Sequence, residues 1–310
     1  MTRHFIGQSD LSRPEVETIF STTARLKRDR FCTALPGRTL VMFFEKTSTR
    51  TRLSFEIGMT QLGGHAVYLD RDSSQLSRGE SIEDTARVVS RYGDLMMARV
   101  YAHETVAALA ANASIPVING LSDAEHPCQS MADLFTISEH RRQMATTQIA
   151  YVGDGNNNVT HSLMIGAAML GAHITVASPR QLQPDAAFAE RARRIGRDSD
   201  ADVAITDDPV QAVQGADVVY TDVWVSMGRE SDRKDRLAML QPYQVNAELV
   251  RHARPDYLFM HCLPAHVGEE VTPEVAYGPN SVIFDQAENR LHVQKALILF
   301  LHDCNQEERE

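Results

Sequence analysis

The sequence predicts an α/β protein with parallel sheets covered by helices on both faces. Three observations carry this expectation. Short apolar runs of strand length alternate with amphipathic runs of helical period from one end of the chain to the other. Polar and capping residues cluster at the carboxyl ends of the strand-like runs, where open parallel sheets bind ligands. The 310 residues, 43% hydrophobic and 23% charged, suffice for two domains of ordinary size, each with its own core.

In the first half, strand-like runs lie near Thr39–Phe43, His65–Leu69, Leu95–Arg99 and Ile115–Ile118. Helical runs between them include Pro14–Arg28, Thr49–Leu62 and Ile82–Tyr92, the last opened by a capping-box-like Ser81-Ile82-Glu83-Asp84. In the second half, strands are expected near Gln148–Val152, His173–Ala177, Asp202–Ile205, Val218–Thr221, Tyr257–Met260 and Val282–Phe284. A final amphipathic helix from Glu288 to about His302 presents Leu291, Ile298 and Leu301. The polar stretch Glu139–Thr147 marks the boundary, giving domains 1–143, joined by the last helix (288–310), and 144–287. No run of 18 apolar residues suggests a membrane span. The N-terminus lacks a signal-peptide core and reads as cytoplasmic. A net charge of −10 argues against general nucleic-acid binding but leaves room for an anionic substrate held by local arginines. Cys32, Cys128, Cys262 and Cys304 are too scattered for a disulfide framework and read as free thiols.

The most informative segment is Phe44-Glu45-Lys46-Thr47-Ser48-Thr49-Arg50-Thr51-Arg52. It joins a buried strand to a helix, with Ser48 as the N-cap. Unpaired N–H groups, the positive dipole end and cationic side chains make such a helix start an anion site, most often for phosphate. Positions two apart point to nearly opposite sides of a helix. Arg50, nearer the cap, therefore suits the phosphate, and Arg52 is left for structural ion pairs.

Other strand ends carry chemistry too. Arg99 ends one strand. His126-Pro127-Cys128-Gln129 opens a helix carrying Met131, Leu134 and Phe135, with Pro127 at its first position and His126 as cap. Gly153-Asp154-Gly155-Asn156-Asn157-Asn158 invites a dinucleotide reading. However, Asn158 replaces the third glycine, and no acid ends the next strand at Ala177-Ser178-Pro179. The asparagines suit a small polar ligand instead. Asp222, in Asp222-Val223-Trp224-Val225-Ser226-Met227-Gly228, could pair with an ammonium group, and the charged run 229–236 reads as a solvated loop. His261-Cys262-Leu263-Pro264-Ala265-His266 raises zinc, but no regular ligand spacing accompanies it, so no metal is expected. Glu288-Asn289-Arg290 offers one more anion ligand at the start of the last helix.

Together these segments resemble the aspartate/ornithine carbamoyltransferase family. Ser48-Thr49-Arg50-Thr51-Arg52 and His126-Pro127-Cys128-Gln129 look like its two carbamoyl-phosphate motifs. Asp222 with Ser226-Met227-Gly228, and His261-Cys262-Leu263-Pro264, look like its ornithine branch. The resemblance implies two doubly wound domains, the first for carbamoyl phosphate and the second for ornithine, with the C-terminal helix crossing back to the first. It also implies a homotrimer and no metal or organic cofactor. Transfer of the carbamoyl group to the δ-amino group of ornithine would give citrulline and phosphate; the alternative is another amine, putrescine or an N-acylated ornithine.

By this resemblance Ser48, Thr49, Arg50 and Thr51 would hold the phosphate. Arg99, His126 and the turn Pro127, Cys128 and Gln129 would complete that pocket. Gln75 would reach in from a neighbouring subunit. Cys262, Leu263 and Arg290 would close the site, with Leu263–Pro264 cis. Asn158, Asp222, Ser226 and Met227 would bind ornithine, with Asn157 the alternative to Asn158. Arg50, Arg99, His126 and Cys262 would be the catalytic set. Val267 departs from the basic residue that many bacterial members carry there.

Overall fold

A computed structural model of the chain describes residues 2–141, 143–225 and 233–307. The chain groups into two compact units: Met1–Ala132 with Glu288–Glu310, and Asp133–Ala287.

The first unit runs α1 (Arg13–Arg28), β1 (Thr39–Phe44), α2 (Thr49–Gln61), β2 (His65–Asp70), α3 (Ile82–Tyr92), β3 (Leu95–Arg99), α4 (His103–Asn112), β4 (Val117–Leu121) and the start of α5 (Pro127–His140). Its four strands are all parallel, in the order β2-β1-β3-β4. The central strand β1, Thr-Leu-Val-Met-Phe-Phe, is buried on both faces. Val41 and Phe43 pack with Val89, Met96, Ala98, Val106, Leu109 and Val117, while Leu40, Met42 and Phe44 are buried on the other side. That double coverage explains a continuous apolar run in place of an alternating one. β4 starts at Val117, two residues later than expected, because Pro116 has no N–H to give a ladder. Ser81 caps α3 by accepting from Asp84 N, but the reciprocal bond of a capping box is not formed.

The second unit continues with β5 (Gln148–Val152), α6 (Asn158–Leu170), β6 (His173–Ala177), α7 (Ala186–Ser199), β7 (Val203–Thr206), α8 (Pro209–Val213), β8 (Val218–Tyr220), α9 (Arg233–Leu240), α10 (Ala247–Val250), β9 (Leu258–Met260), α11 (Pro273–Ala276) and the start of α12 (Ile283–Glu307). The sheet is again all parallel, ordered β7-β6-β5-β8-β9. Its core joins Ala150, Val152, Val219 and Phe259 to Val213, Val245, Leu249, Val271 and Ile283.

Two expectations are corrected here. The run Val282-Ile283-Phe284 is not a strand. Val282 N donates to Phe259 O, next to a bridge between the preceding Ser281 and Phe259. The helix then begins at Ile283, leaving Phe284 exposed. The last helix is therefore longer than expected, and Arg290 lies in its interior, not in its first turn. The charged run 229–236 is likewise not a solvated loop where it is described. Arg233 opens α9, and Arg236 is buried, donating from Nε to Trp224 O at 3.0 Å and pairing with the buried carboxylate of Asp154.

Candidate active site

In each sheet the strand order reverses once, between β1 and β3 in the first and between β5 and β8 in the second. The crevice outside the carboxyl ends at such a switch point is where open α/β sheets take ligands. Ser48, Thr49, Arg50, Thr51 and Arg99 lie at the first of these places, and Asn158 and Asp222 at the second.

In the first unit Phe44 and Arg99 are paired in register at the strand ends. Glu45 fastens this corner: its N–H donates to Arg99 O at 2.9 Å, and its carboxylate accepts from Tyr101 N at 2.8 Å. The β3–β4 register shifts at Ala98/Arg99, so Arg99 pairs with Leu121. Such an irregularity re-aims the side chain at a sheet's end. Ser48 caps α2, accepting from Thr51 N at 3.3 Å, and its hydroxyl donates to Thr51 Oγ1 at 3.1 Å. Thr51 Oγ1 in turn accepts from Arg99 Nη1 and from Arg290 Nη2, both at 3.3 Å. Arg290 Nη1 donates to Gln129 Oε1 at 2.6 Å. One hydroxyl thus brings together residues from α2, β3 and α12, and Arg290 extends the cluster to α5. Gln294, with its amide oxygen turned toward Arg290, accepts from Nε at 3.2 Å and Nη2 at 3.3 Å.

His126 precedes α5 and is buried. Burial, then the positive charges of Arg290, Arg99 and Lys46, hold its pKa well below 6.5. The ring is therefore neutral at physiological pH, one nitrogen a donor and the other an acceptor. Lys46 is itself lowered by burial and by Arg99, and lies 5.0 Å from the Tyr101 ring centre. No local feature of the sequence signals this role, although Lys46 lies within the segment Phe44–Arg52. Cys128 is fully buried, its thiol donating to Asn119 O at 3.3 Å, and burial pushes its pKa to about 12. A ligand at the turn 126–129 can meet Cys128 only through its backbone. Arg50 and Thr49 are exposed at the start of α2. Arg52 makes an ion pair with Glu56 at 3.2 Å and stacks over Tyr68 at 4.3 Å. Gln75 is exposed on the 3-10 turn Gln75–Arg78.

In the second unit Gly153 follows β5 with φ +136°, and a side chain at Gly155 would meet Pro184 at 2.8 Å and Leu182 O at 2.9 Å. Backbone conformation and packing thus account for both glycines without a dinucleotide. Asn157 caps α6, its Oδ1 accepting from Thr160 N at 2.9 Å, and its amide donates to Tyr151 Oη at 2.8 Å and Asp154 O at 2.7 Å. Asn158 is the first helical residue and half-buried. After β8, the buried Asp222 accepts from Val223 N at 2.8 Å and from Cys262 Sγ at 3.0 Å. His261, after β9, is held on both ring nitrogens: Nε2 lies 3.2 Å from Glu270 Oε1, and Nδ1 accepts from Leu263 N at 2.9 Å. The Leu263–Pro264 peptide is cis, and Leu263 has φ +59°.

Oxygen, nitrogen and sulfur atoms of Asp222, His261 and Cys262 lie within 4.8 Å of one another, a set that could hold a metal ion. In the structure these atoms are engaged with each other, with Glu270 and with Leu263 N. Ser226 and Met227, expected to touch ornithine, lie outside the described residues.

Comparison with known proteins identifies the family. Residues 3–139 match the family model described as "Aspartate/ornithine carbamoyltransferase, carbamoyl-P binding domain", and residues 145–301 match its "Asp/Orn binding domain". An ornithine carbamoyltransferase of Thermococcus kodakarensis is 54% identical over 96% of this chain and 95% of its own. One from Bacillus subtilis is 53% identical over 93% and 90%. The solved ornithine carbamoyltransferase of Pyrococcus furiosus superposes with a TM-score of 0.93, at 51% identity and 96% coverage of each chain. Two family models cover the two halves in order, and relatives match almost end to end: the chain belongs to the aspartate/ornithine carbamoyltransferase family.

Proposed function

We propose that this protein transfers the carbamoyl group of carbamoyl phosphate to the δ-amino group of L-ornithine, giving L-citrulline and phosphate. The observation that carries the reading is the gathering of Arg99, Arg290 and Lys46 around a buried neutral His126, beside the capped start of α2. Concentrating cations costs free energy unless an anion joins them. A dianionic phosphate on a helix N-terminus meets that need.

The residues divide by chemical demand. Ser48, Thr49, Arg50 and Thr51, with the first N–H groups of α2, hold the phosphate and neutralise it as it leaves. Arg99, Thr51 and the neutral His126 donate hydrogen bonds to the carbamoyl oxygen as it becomes an oxyanion; one such donor is typically worth ~10²–10³ in rate. Gln129 and Arg290 fix the far side of that pocket, with the backbone of Pro127 and Cys128. Asp222 pairs with the α-ammonium of ornithine, and Asn158 contacts its polar end, since the Asn157 amide is committed to capping and to Tyr151. Ser226 and Met227 complete this ornithine set by resemblance. Cys262, donating to Asp222, and Leu263 orient the amine; no covalent intermediate on the thiol is needed. The amine attacks as the free base, forming the new C–N bond. The tetrahedral intermediate then expels phosphate, breaking the C–O bond, and the amine loses its proton.

The domain division 1–143 with 288–310 and 144–287 is proposed on the same grounds, the first part taking carbamoyl phosphate and the second ornithine. We also propose a cytoplasmic homotrimer in which Gln75 serves a neighbouring subunit. Exposed Leu53 and Ile57 on α2 and Val67 on the edge strand β2 support such an interface. Among the described residues no helix is long and apolar enough to cross a membrane.

The test is a citrulline-forming assay with carbamoyl phosphate and a panel of amines: ornithine, putrescine, N-acetylornithine and aspartate. Turnover with ornithine far above the others is expected. Preference for any other amine overturns the assignment.

A further inference from the structure

A second group of buried polar side chains lies behind the Cys262 segment, and the mechanism above does not use it. The ladder between β8 and β9 ends where Thr221 N donates to Met260 O at 3.2 Å. The next N–H, that of His261, is buried beyond the sheet and needs an acceptor. Gln286, from the first turn of α12, supplies it: its Oε1 lies 2.9 Å from His261 N. The amide nitrogen donates to Asp133 Oδ1 at 2.7 Å and to Tyr220 Oη at 3.2 Å, and Tyr220 Oη donates to Asp133 Oδ2 at 3.1 Å. The amide orientation is fixed by chemistry at both ends, because a backbone N–H must donate and a carboxylate must accept. Asp133, Tyr220, His261 and Gln286 are each no more than 1% exposed.

We propose that Gln286 is a positioning residue for ornithine, acting through the backbone of His261 on the neighbouring Cys262. Gln286 takes the place of a missing strand. It fixes the residue before Cys262, and Cys262 holds Asp222 by its thiol at 3.0 Å. Glu270 and Leu263 N hold the His261 ring, while Gln286 holds its backbone N–H. Loss of the amide frees the start of the segment and loosens the alignment of Cys262 with Asp222.

The inference rests on the ornithine reading, so wild-type citrulline formation is measured first; its absence would overturn that reading and not this one. Gln286→Met keeps the length of the side chain and removes both hydrogen-bonding ends. Its KM for ornithine should rise about tenfold, below the roughly 10²-fold that misplacement by an ångström can cost. Its KM for carbamoyl phosphate should stay within about twofold. Gln286→Glu keeps the acceptor for His261 N and must share a proton with Asp133. Its ornithine KM, taken as a ratio to wild type, should be near one at low pH and grow as that proton is lost. Tyr220→Phe removes one hydroxyl but leaves Gln286 bound at both ends. It should lower the melting temperature and leave the ornithine KM within about twofold. An unchanged ornithine KM in folded Gln286→Met, an equal rise for both substrates, or a flat pH ratio in Gln286→Glu would each overturn the proposal. If Gln286→Met does not fold, the pH ratio of Gln286→Glu decides.

Discussion

Thr51→Val is the most direct probe of the phosphate half of the site. The substitution keeps the branched shape of a side chain that is 1% exposed and deletes only the hydroxyl. That hydroxyl accepts from two guanidinium groups, Arg99 and Arg290, each at 3.3 Å. A hydrogen bond to a charged group contributes about 1.5–3 kcal/mol, and the long distances place these two at the lower end. Together they give about 3 kcal/mol, or roughly 10²-fold in rate at about 1.4 kcal/mol per decade. Initial rates of citrulline formation should therefore show kcat/KM for carbamoyl phosphate falling by roughly 10²-fold in Thr51→Val. Thr51→Ser, which retains the hydroxyl, should stay within about tenfold of wild type. A folded Thr51→Val within about threefold of wild type would refute the reasoning: the hydroxyl would then neither align the arginines nor serve the substrate.

Five further outcomes follow from the geometry. Arg50→Ala should raise KM for carbamoyl phosphate by about tenfold to 10²-fold with little change for ornithine; equal effects on both would remove Arg50 from the phosphate. Arg52→Ala should leave both constants near wild type and lower stability by less than about 1 kcal/mol, since its ion pair with Glu56 is exposed; loss of activity would return it to the site. Asp222→Ala should raise the ornithine requirement selectively, and Cys262→Ser should keep measurable turnover; an inactive but folded Cys262→Ser would reopen covalent catalysis. Finally, His126 binds its proton more readily unfolded, with the ordinary value of 6.5, than folded, where burial and three cations hold the pKa well below it. Its contribution therefore weakens stability as pH falls below 6.5, by up to about 1.4 kcal/mol per pH unit. Denaturation curves of His126→Gln should lack that slope, and an identical slope would contradict the buried, neutral ring.

The fold was legible wherever pattern and burial agree. β1, α2, β3, β5 and β6 lie within a residue or so of their expected bounds, because each is a strongly apolar strand or a capped helix. Failures occur where a short apolar run has two outcomes. Val282-Ile283-Phe284 reads equally as a strand or as the first turn of a helix, and only the length of α12 decides. The run 229–236 looks solvated because Arg236 is charged, yet a partner far along the chain, Asp154, allows its burial. At the candidate site, single-segment features such as the Ser48 cap, Pro127 at the start of α5 and the exposed Arg50 could be read locally. Thr51 as a shared acceptor, Lys46 beside Arg99, Glu270 behind His261 and Gln286 behind Cys262 could not. Each depends on residues from separate elements meeting in three dimensions.

Cys128 gives the first unit a built-in clock. Its thiol is shut in at the start of α5, bonded to a carbonyl, and pushed to about 12 by burial. Only thiolate reacts rapidly with alkylating reagents, so in the closed fold this sulfur is chemically silent. Cys32, Cys262 and Cys304 are each partly accessible. In a chain whose other three cysteines are replaced, alkylation of Cys128 would time the opening of the surrounding core directly. Ligands that bind the neighbouring His126–Gln129 turn would slow that labelling in proportion to how firmly they hold the core shut.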